Sequence, residues 1–191
     1  YNYDDRYLFS ATVRRDASSR LSKNIRWGTF PSVSLGWRFD KESFFPFSTD
    51  VVNMFKVRGS YGELGNENIG EYVYQAVMSR NNMTYSFNNS LVTGSAVSTF
   101  VDNNLAWEKK KTYNVGIDIA LFNNRLEFTA EWYKHTSTDL LYSVRVPEQA
   151  GLSNSTVTMN AASMNNSGFE FAATYRNRDL AFKYEVSGNL S

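Results

Sequence analysis

Between Thr112 and Leu121 apolar and polar residues take strict turns: Tyr113, Val115, Ile117, Ile119 and Leu121 alternate with Thr112, Asn114, Gly116, Asp118 and Ala120. A period of two places each set on its own face of a β-strand. Asn123-Asn124 follows, two residues that tolerate positive φ and so predict a tight type I′ hairpin turn. Counting outward from that turn sets Leu121 against Leu126, Ile119 against Phe128, Ile117 against Ala130, Val115 against Trp132 and Gly116 against Glu131. Apolar meets apolar along one face, so the register is self-consistent.

The same alternation predicts further strands. One runs from about Arg6 to Arg15, with Tyr7, Phe9, Ala11 and Val13 on its apolar face, after a short Asp4-Asp5 turn. The next covers about Trp27 to Phe39 (Pro31, Val33, Leu35, Trp37, Phe39), and a third about Met54 to Leu64 (Phe55, Val57, Gly59, Tyr61). Between these two, Asp40 to Asn53 leaves a helical turn open. A last hairpin opens with Phe169, Phe171, Ala173 and Tyr175, turns at Arg176–Asp179, and returns through Leu180, Phe182, Tyr184, Val186, Gly188 and Leu190. Counting from Asn177-Arg178 sets Glu170 opposite Glu185, a like-charge pair that a sheet disfavours, with Lys183 opposite Ala172 as the local relief. Two long polar connections are expected, at 65–103 and from about Lys134 to Asn166, the first holding short strands near Tyr72–Met78 and Leu91–Val101.

One apolar and one polar face fit either a soluble sandwich or a membrane barrel. Three features favour the barrel. The apolar face of these strands carries no charge, whereas the other carries Arg14, Arg38, Lys56, Arg58, Asp118, Glu127, Glu131, Glu170, Arg176, Lys183 and Glu185. Connections after Leu121 and Tyr175 are tight and that after Phe39 is moderate, while those after Arg14, Leu64 and Tyr133 are long. Aromatics gather near strand ends (Trp27, Trp37, Phe39, Tyr61, Tyr113, Trp132, Tyr175), as the interfacial girdles of a barrel require. The expected fold is therefore all-β: an antiparallel, up-and-down transmembrane β-barrel wall segment of about seven long strands. A soluble carbohydrate-binding β-sandwich is the alternative.

Composition narrows the chemistry. With 20 basic and 19 acidic side chains the chain is nearly neutral, which argues against a nucleic-acid partner. Cysteine is absent, so there is no disulfide or thiol chemistry. No apolar run approaches the ~20 residues of a membrane helix, a test to which barrel strands are blind. Glu127 and Glu131 share the polar face, but four residues of strand is about 13 Å. A glycosidase pair needs about 5–9.5 Å, so the two alone are no catalytic couple. His135, the single histidine, lacks partners for a metal site or a triad. GELGNENIG lacks the Lys-Ser/Thr and helix of a phosphate loop. Lys109-Lys110-Lys111 reads as a solvated or interfacial patch. Glycosylation-type triplets at Asn82, Asn88, Asn154 and Asn166 are chance matches in an Asn-rich chain.

The run NLAWEKKKTYNVGIDIALFNNRLEFTAEWYKHTSTDLL resembles the SusC/RagA family of TonB-linked outer-membrane transporters. The resemblance rests on Leu105, Trp107 and Glu108 (L-x-W-E), on Tyr113, Asn114, Gly116 and Asp118 (Y-N-x-G-x-D), and on Thr138, Asp139, Leu140 and Leu141, which stand here as T-D-L-L where the family closes on T-x-D-L-L. DRYLFSATVRRDASSRLSKNIRWGTFPSVSLGWRF, FKVRGSYGELGNENIGEY and NNSGFEF are similar to the family's neighbouring segments, in the right order. It implies residues 1–191 are part of a TonB-dependent receptor β-barrel domain from its later half, without the plug domain. It further implies import of oligosaccharides or peptides across the outer membrane of a Gram-negative, Bacteroidota-like cell. The implied partners are TonB (through an N-terminal region not in this chain), a SusD-like surface lipoprotein as lid, and outer-membrane lipid. No enzyme activity, cofactor, catalytic residue or metal site is expected. Another TonB-dependent receptor, for siderophores or cobalamin, is the alternative within the class. Aromatics in the expected loops, Tyr72, Tyr74, Tyr85, Phe87 and Phe100, are the candidates for stacking on a ligand.

Overall fold

A computed structural model of the chain describes residues 1–80, 84–97, 99–150, 156–177 and 182–191. Its strands are β1 (Asn2–Tyr3), β2 (Tyr7–Ala17), β3 (Trp27–Arg38), β4 (Val52–Asn66), the short β5 (Met78–Ser79), β6 (Thr84–Phe87), β7 (Ser90–Thr93) and β8 (Ala96–Val97), then β9 (Glu108–Leu121), β10 (Leu126–Arg145), β11 (Thr156–Asn177) and β12 (Tyr184–Leu190). Eight of them form one sheet in the order β1-β2-β3-β4-β9-β10-β11-β12, each pair antiparallel. The spatial order follows the chain, so this is an up-and-down meander. Alternate connections therefore lie at the same end: 4–6, 39–51, 122–125 and 178–183 at one, and 18–26, 67–107 and 146–155 at the other. β1 and β12 are the edges, and among the described residues the sheet does not close on itself.

The central hairpin has the expected register, including Val115 opposite Trp132 and Gly116 opposite Glu131. Asn123 and Asn124 hold φ of 56° and 61°, as a type I′ turn demands, and Arg125 N donates to Phe122 O at 3.2 Å. Phe122 is also left-handed, at 55°. Its N–H donates to Val51 O at 2.9 Å, and Asn124 N donates to Asn53 Oδ1 at 3.1 Å, so the neighbouring connection holds the turn in place.

Reading across the strands, Tyr7, Trp37, Val57, Ile117, Ala130, Phe171 and Leu190 form one continuous row on the apolar face. Among the described residues no second sheet covers it, and large side chains there stay open: Val115 is 53% exposed and Phe169 61%. On β9 the apolar band from Tyr113 to Leu121 is about 27 Å long at ~3.4 Å per residue. At a tilt of ~40° that rises about 20 Å, near the ~25 Å apolar band of a barrel.

Three expectations are corrected. The stretch from Lys134 to Asn166 is largely not a loop: β10 continues to Arg145 and β11 begins at Thr156. Lys134–Asp139 is polar on both sides and so shows no alternation, and a bulge around Asp139 (φ 57°) interrupts the ladder before Leu140, Tyr142 and Val144 resume it. Next, the long connection does hold short strands in Leu91–Val101, namely β7 and β8, but they pair with β6 and β5, and of Tyr72–Met78 only Met78 is in a strand. Tyr72 itself sits in a turn with φ 57°. Finally, Glu185 pairs with Arg176 and not with Glu170, and Ala172 faces Asn189 and not Lys183. The register is displaced by six residues (176 against 170), an even number, so every side chain keeps its expected face. Arg176 between Glu127 and Glu185 replaces the like-charge pair by two ion pairs. The expected turn residues Arg178 and Asp179, with Leu180, lie outside the described residues, as do Asn82 and Asn154.

Candidate functional site: inner wall and loop roots

On the polar face the strands are joined by side chains in register. Arg58 of β4, Gly116 of β9, Glu131 of β10 and Glu170 of β11 occupy one row. Arg58 Nε donates to Asp118 Oδ2 at 3.2 Å and its Nη2 pairs with Glu131. The guanidinium crosses β9 over Gly116, where an added Cβ would come within 3.0 Å of Arg58 Cζ. Asp118 also takes Lys56 Nζ at 3.9 Å and Thr129 Oγ1 at 3.2 Å. Gly116 and Asp118 of the Y-N-x-G-x-D element are thus the space and the anion around which this network forms. Towards β2 the same face carries short side chains in rows, Ser10–Ser34–Ser60 and Thr12–Ser32–Gly62–Thr112, which leave a hollow of about 440 Å³.

Where the long connections leave the sheet, their roots pack into the one buried apolar cluster among the described residues: Leu21, Phe30, Ile69, Leu105 and Trp107, flanked by Ile25, Val73 and Leu141. Phe30 and Trp107 meet edge-to-face at 5.5 Å, and Trp107 Nε1 donates to Arg26 O at 3.1 Å. Gly28 and Gly65 lie directly against the Phe30 ring, leaving no room for a Cβ at either. Asn160 of β11 accepts from Ala106 N at 2.7 Å and donates to Ala106 O at 3.0 Å and Asp139 O at 2.6 Å. One amide therefore ties the L-x-W-E segment to the β10 bulge.

At the short-connection end a 3₁₀ turn, Phe39–Lys41, clasps β3 to β4. Asp40 accepts two bonds from Arg38, at 2.8 and 2.7 Å, and one from Phe55 N at 3.0 Å. Burial works against its charge, but the Arg38 and Phe55 hydrogen bonds outweigh it and hold the carboxyl below the ordinary aspartate value. Glu42 accepts the Tyr7 hydroxyl at 2.6 Å and Trp37 Nε1 at 2.9 Å, which hold it below the ordinary glutamate value. Two aromatics of the outer belt are thus pinned by their polar tips.

The loop aromatics are spread out. Tyr85 and Phe87 share a face of β6, at 54% and 67% exposure, beside an Asn88-Asn89 turn with both φ positive. Tyr72 and Phe100 are exposed on other segments, and Tyr74 is half-buried beside Gln75. His135 Nδ1 lies 3.1 Å from Thr112 Oγ1, with its ring on Tyr133. Glu127 and Glu131 are each held by an arginine. Among the described residues no group of three or more His, Cys, Asp or Glu is placed to hold a metal. Phe30, Leu21 and Ile69 escaped the reading of the sequence; Phe30, an aromatic on the polar face of its strand, was the signal available.

A meander with an uncovered apolar face and an ion-paired polar face is the wall of a transmembrane barrel. The chain belongs to the TonB-dependent receptor-like β-barrel family, whose model, "TonB dependent receptor-like, beta-barrel", matches residues 1–191. It is 37% identical over 197 residues to TonB-dependent receptor SusC of Bacteroides thetaiotaomicron, covering 100% of this chain and 19% of that protein. To TonB-dependent receptor P39 of Formosa agariphila it is 36% identical over 192 residues, covering 100% and 18%. Among solved structures it is similar to the RagAB peptide importer in the "open-open" state, with a TM-score of 0.81, 30% identity, and coverage of 98% of this chain and 20% of that one. The chain thus spans about a fifth of the relatives it matches.

Proposed function

We propose that this chain is a stretch of wall and external loops from an outer-membrane transporter that imports oligosaccharides or peptides, driven through TonB and closed by a SusD-like lipoprotein. The observation that carries the reading is the division of faces: apolar and uncovered outside, interlocked ions inside, in a chain similar along its length to SusC and to the RagAB importer. The wall supplies a rigid cylinder because hydrocarbon cannot satisfy an open row of amides. No residue of this chain does covalent chemistry in that role; the plug and the TonB-contacting segment belong to the receptor beyond this fifth. The long connections lie at the outer end and meet ligand and lid, with Tyr85 and Phe87 as a stacking pair and Tyr72, Tyr74 and Phe100 as further contacts.

The test uses the full-length receptor in its host. Uptake of the oligosaccharide or peptide that sustains growth should stop when the receptor or TonB is removed, and a surface lipoprotein should co-purify in detergent. A receptor that is monodisperse without detergent, or uptake indifferent to TonB, overturns the reading.

A further inference from the structure

We propose that the outward face, just past the aromatic belt at the long-connection end, binds the phosphate of a lipid headgroup through Lys111 and Lys134. The proposal rests on reading the chain as outer-membrane barrel wall. Along β9 the outward series runs Ile117, Val115, Tyr113, Lys111, Lys109; along β10 it runs Ala130, Trp132, Lys134, Thr136. On both strands an aromatic is followed directly by lysine, so the surface passes from apolar to cationic within one step. Tyr113 faces Lys134 and Lys111 faces Thr136, which makes the two lysines diagonal neighbours. At such positions, about 7–8 Å apart at the backbone, two flexible ammonium groups converge on one anion.

The ground between them is shaped for that anion. Lys111, Tyr113, Trp132, Lys134 and Thr136 line a groove of about 320 Å³, with lysine and hydroxyl donors above and aromatic rings below. A lipid presents the matching sequence of parts: a phosphate at the headgroup level and an acyl root beneath it. Glu63 is the acid on this patch; it accepts from Tyr61 and lies 4.0 Å from Lys111 Nζ. Lys134 and Lys109 have no ion pair among the described residues, so the patch keeps a positive surplus at the depth where lipid phosphates sit. Lysine stems on apolar ground with their charges at the interface are the usual snorkelling arrangement.

The experiment uses the full-length receptor in detergent, incubated with a phosphorylated glycolipid, its dephosphorylated counterpart, or inorganic phosphate, and read by native mass spectrometry. Wild-type receptor should retain the phosphorylated lipid. Each lysine near an anionic surface is worth about fivefold, so Lys111→Gln with Lys134→Gln should weaken retention by about thirtyfold. Glu63→Gln should strengthen it, and the dephosphorylated lipid should not distinguish the variants. Equal retention by wild type and the double variant overturns the proposal. So does full displacement by inorganic phosphate, which marks a free-anion site. Independently of any variant, acetylation of Lys111 and Lys134 in vesicles should slow when the phosphorylated lipid is present, while loop residue Lys23 is unaffected; unchanged rates overturn the proposal. A receptor that does not insert into vesicles overturns the wall reading itself, whereas one that inserts and ignores the phosphate overturns the lipid site alone.

Discussion

Arg58 of β4 holds Glu131 of β10 by laying its guanidinium over Gly116 of the strand between them. Three strands are thereby locked on their inner face without an intervening side chain. The arrangement predicts that Gly116→Ala in the full-length receptor destabilises the barrel by ~1–3 kcal/mol, the usual cost of forcing a group into filled space. Gly188 of β12 has open space around its Cβ position, so Gly188→Ala is the control and should change little. Denaturant unfolding in detergent measures both; equal effects would mean that the Arg58 crossing is not what Gly116 is for.

Glu131 has a second neighbour, Glu170, directly opposite it on β11. Arg58 neutralises Glu131, while Glu170 has no ion pair among the described residues. Like charges facing each other in a sheet cost some tenths of a kcal/mol up to ~1. Glu170→Gln should therefore raise the unfolding midpoint slightly, and Arg58→Gln should lower it, by more when Glu170 is intact than when it is Gln. Additive effects of the two substitutions would show that the carboxylates do not sense each other.

How much of this was legible follows from what each segment faces. Between Tyr113 and Trp132 one side must be apolar and the turn must be left-handed, so alternation and Asn123-Asn124 set the register to the residue. The like-charge contact on Glu170 was expected, but with Glu185, because a turn outside the described residues was counted too short; parity kept the faces right and left the pairing wrong. The strand extension beyond Tyr133 was hidden because both sides of Lys134–Asp139 are polar and the bulge at Asp139 separates them from the alternation that resumes at Leu140, Tyr142 and Val144. The inner network was half visible: Arg58, Asp118 and Glu131 were placed on one face, but their contact depends on the neighbour order β4-β9-β10, which alternation does not encode.

The clasp at the short-connection end should respond to acid. Asp40 and Glu42 both have folded values below their ordinary ones, near 4. Their contribution is thus fully present above the unfolded values and is lost as pH falls through the lower folded values. Stability of the full-length barrel should decline below about pH 4, and Asp40→Asn combined with Glu42→Gln should flatten that decline while lowering stability at neutral pH. Unfolding midpoints measured across the acid range check this. A decline of unchanged slope in the double variant would assign the acid sensitivity to other carboxylates.

The loop roots give the sharpest separation of wall from loops. Leu105, Trp107, Phe30, Leu21 and Ile69 bury one another where the long connections leave the sheet, and Asn160 bonds both backbone groups of Ala106. Truncating a large buried side chain costs ~2–5 kcal/mol, and deleting a hydrogen-bonding amide that leaves backbone groups unpaired costs ~1–3. The apolar outer face and the inner ion pairs lie elsewhere on the sheet and do not depend on this cluster. Trp107→Ala and Asn160→Ala should therefore open the connection 67–107 to protease while the receptor keeps its folded, heat-sensitive migration on a gel. Ligand uptake should fall with the loosening, since Tyr85 and Phe87 ride on that same connection. Limited proteolysis beside the gel assay decides it: loss of both the protected loop and the folded band would make the cluster part of the wall's own stability, and protection unchanged from wild type would leave the loops held by something else.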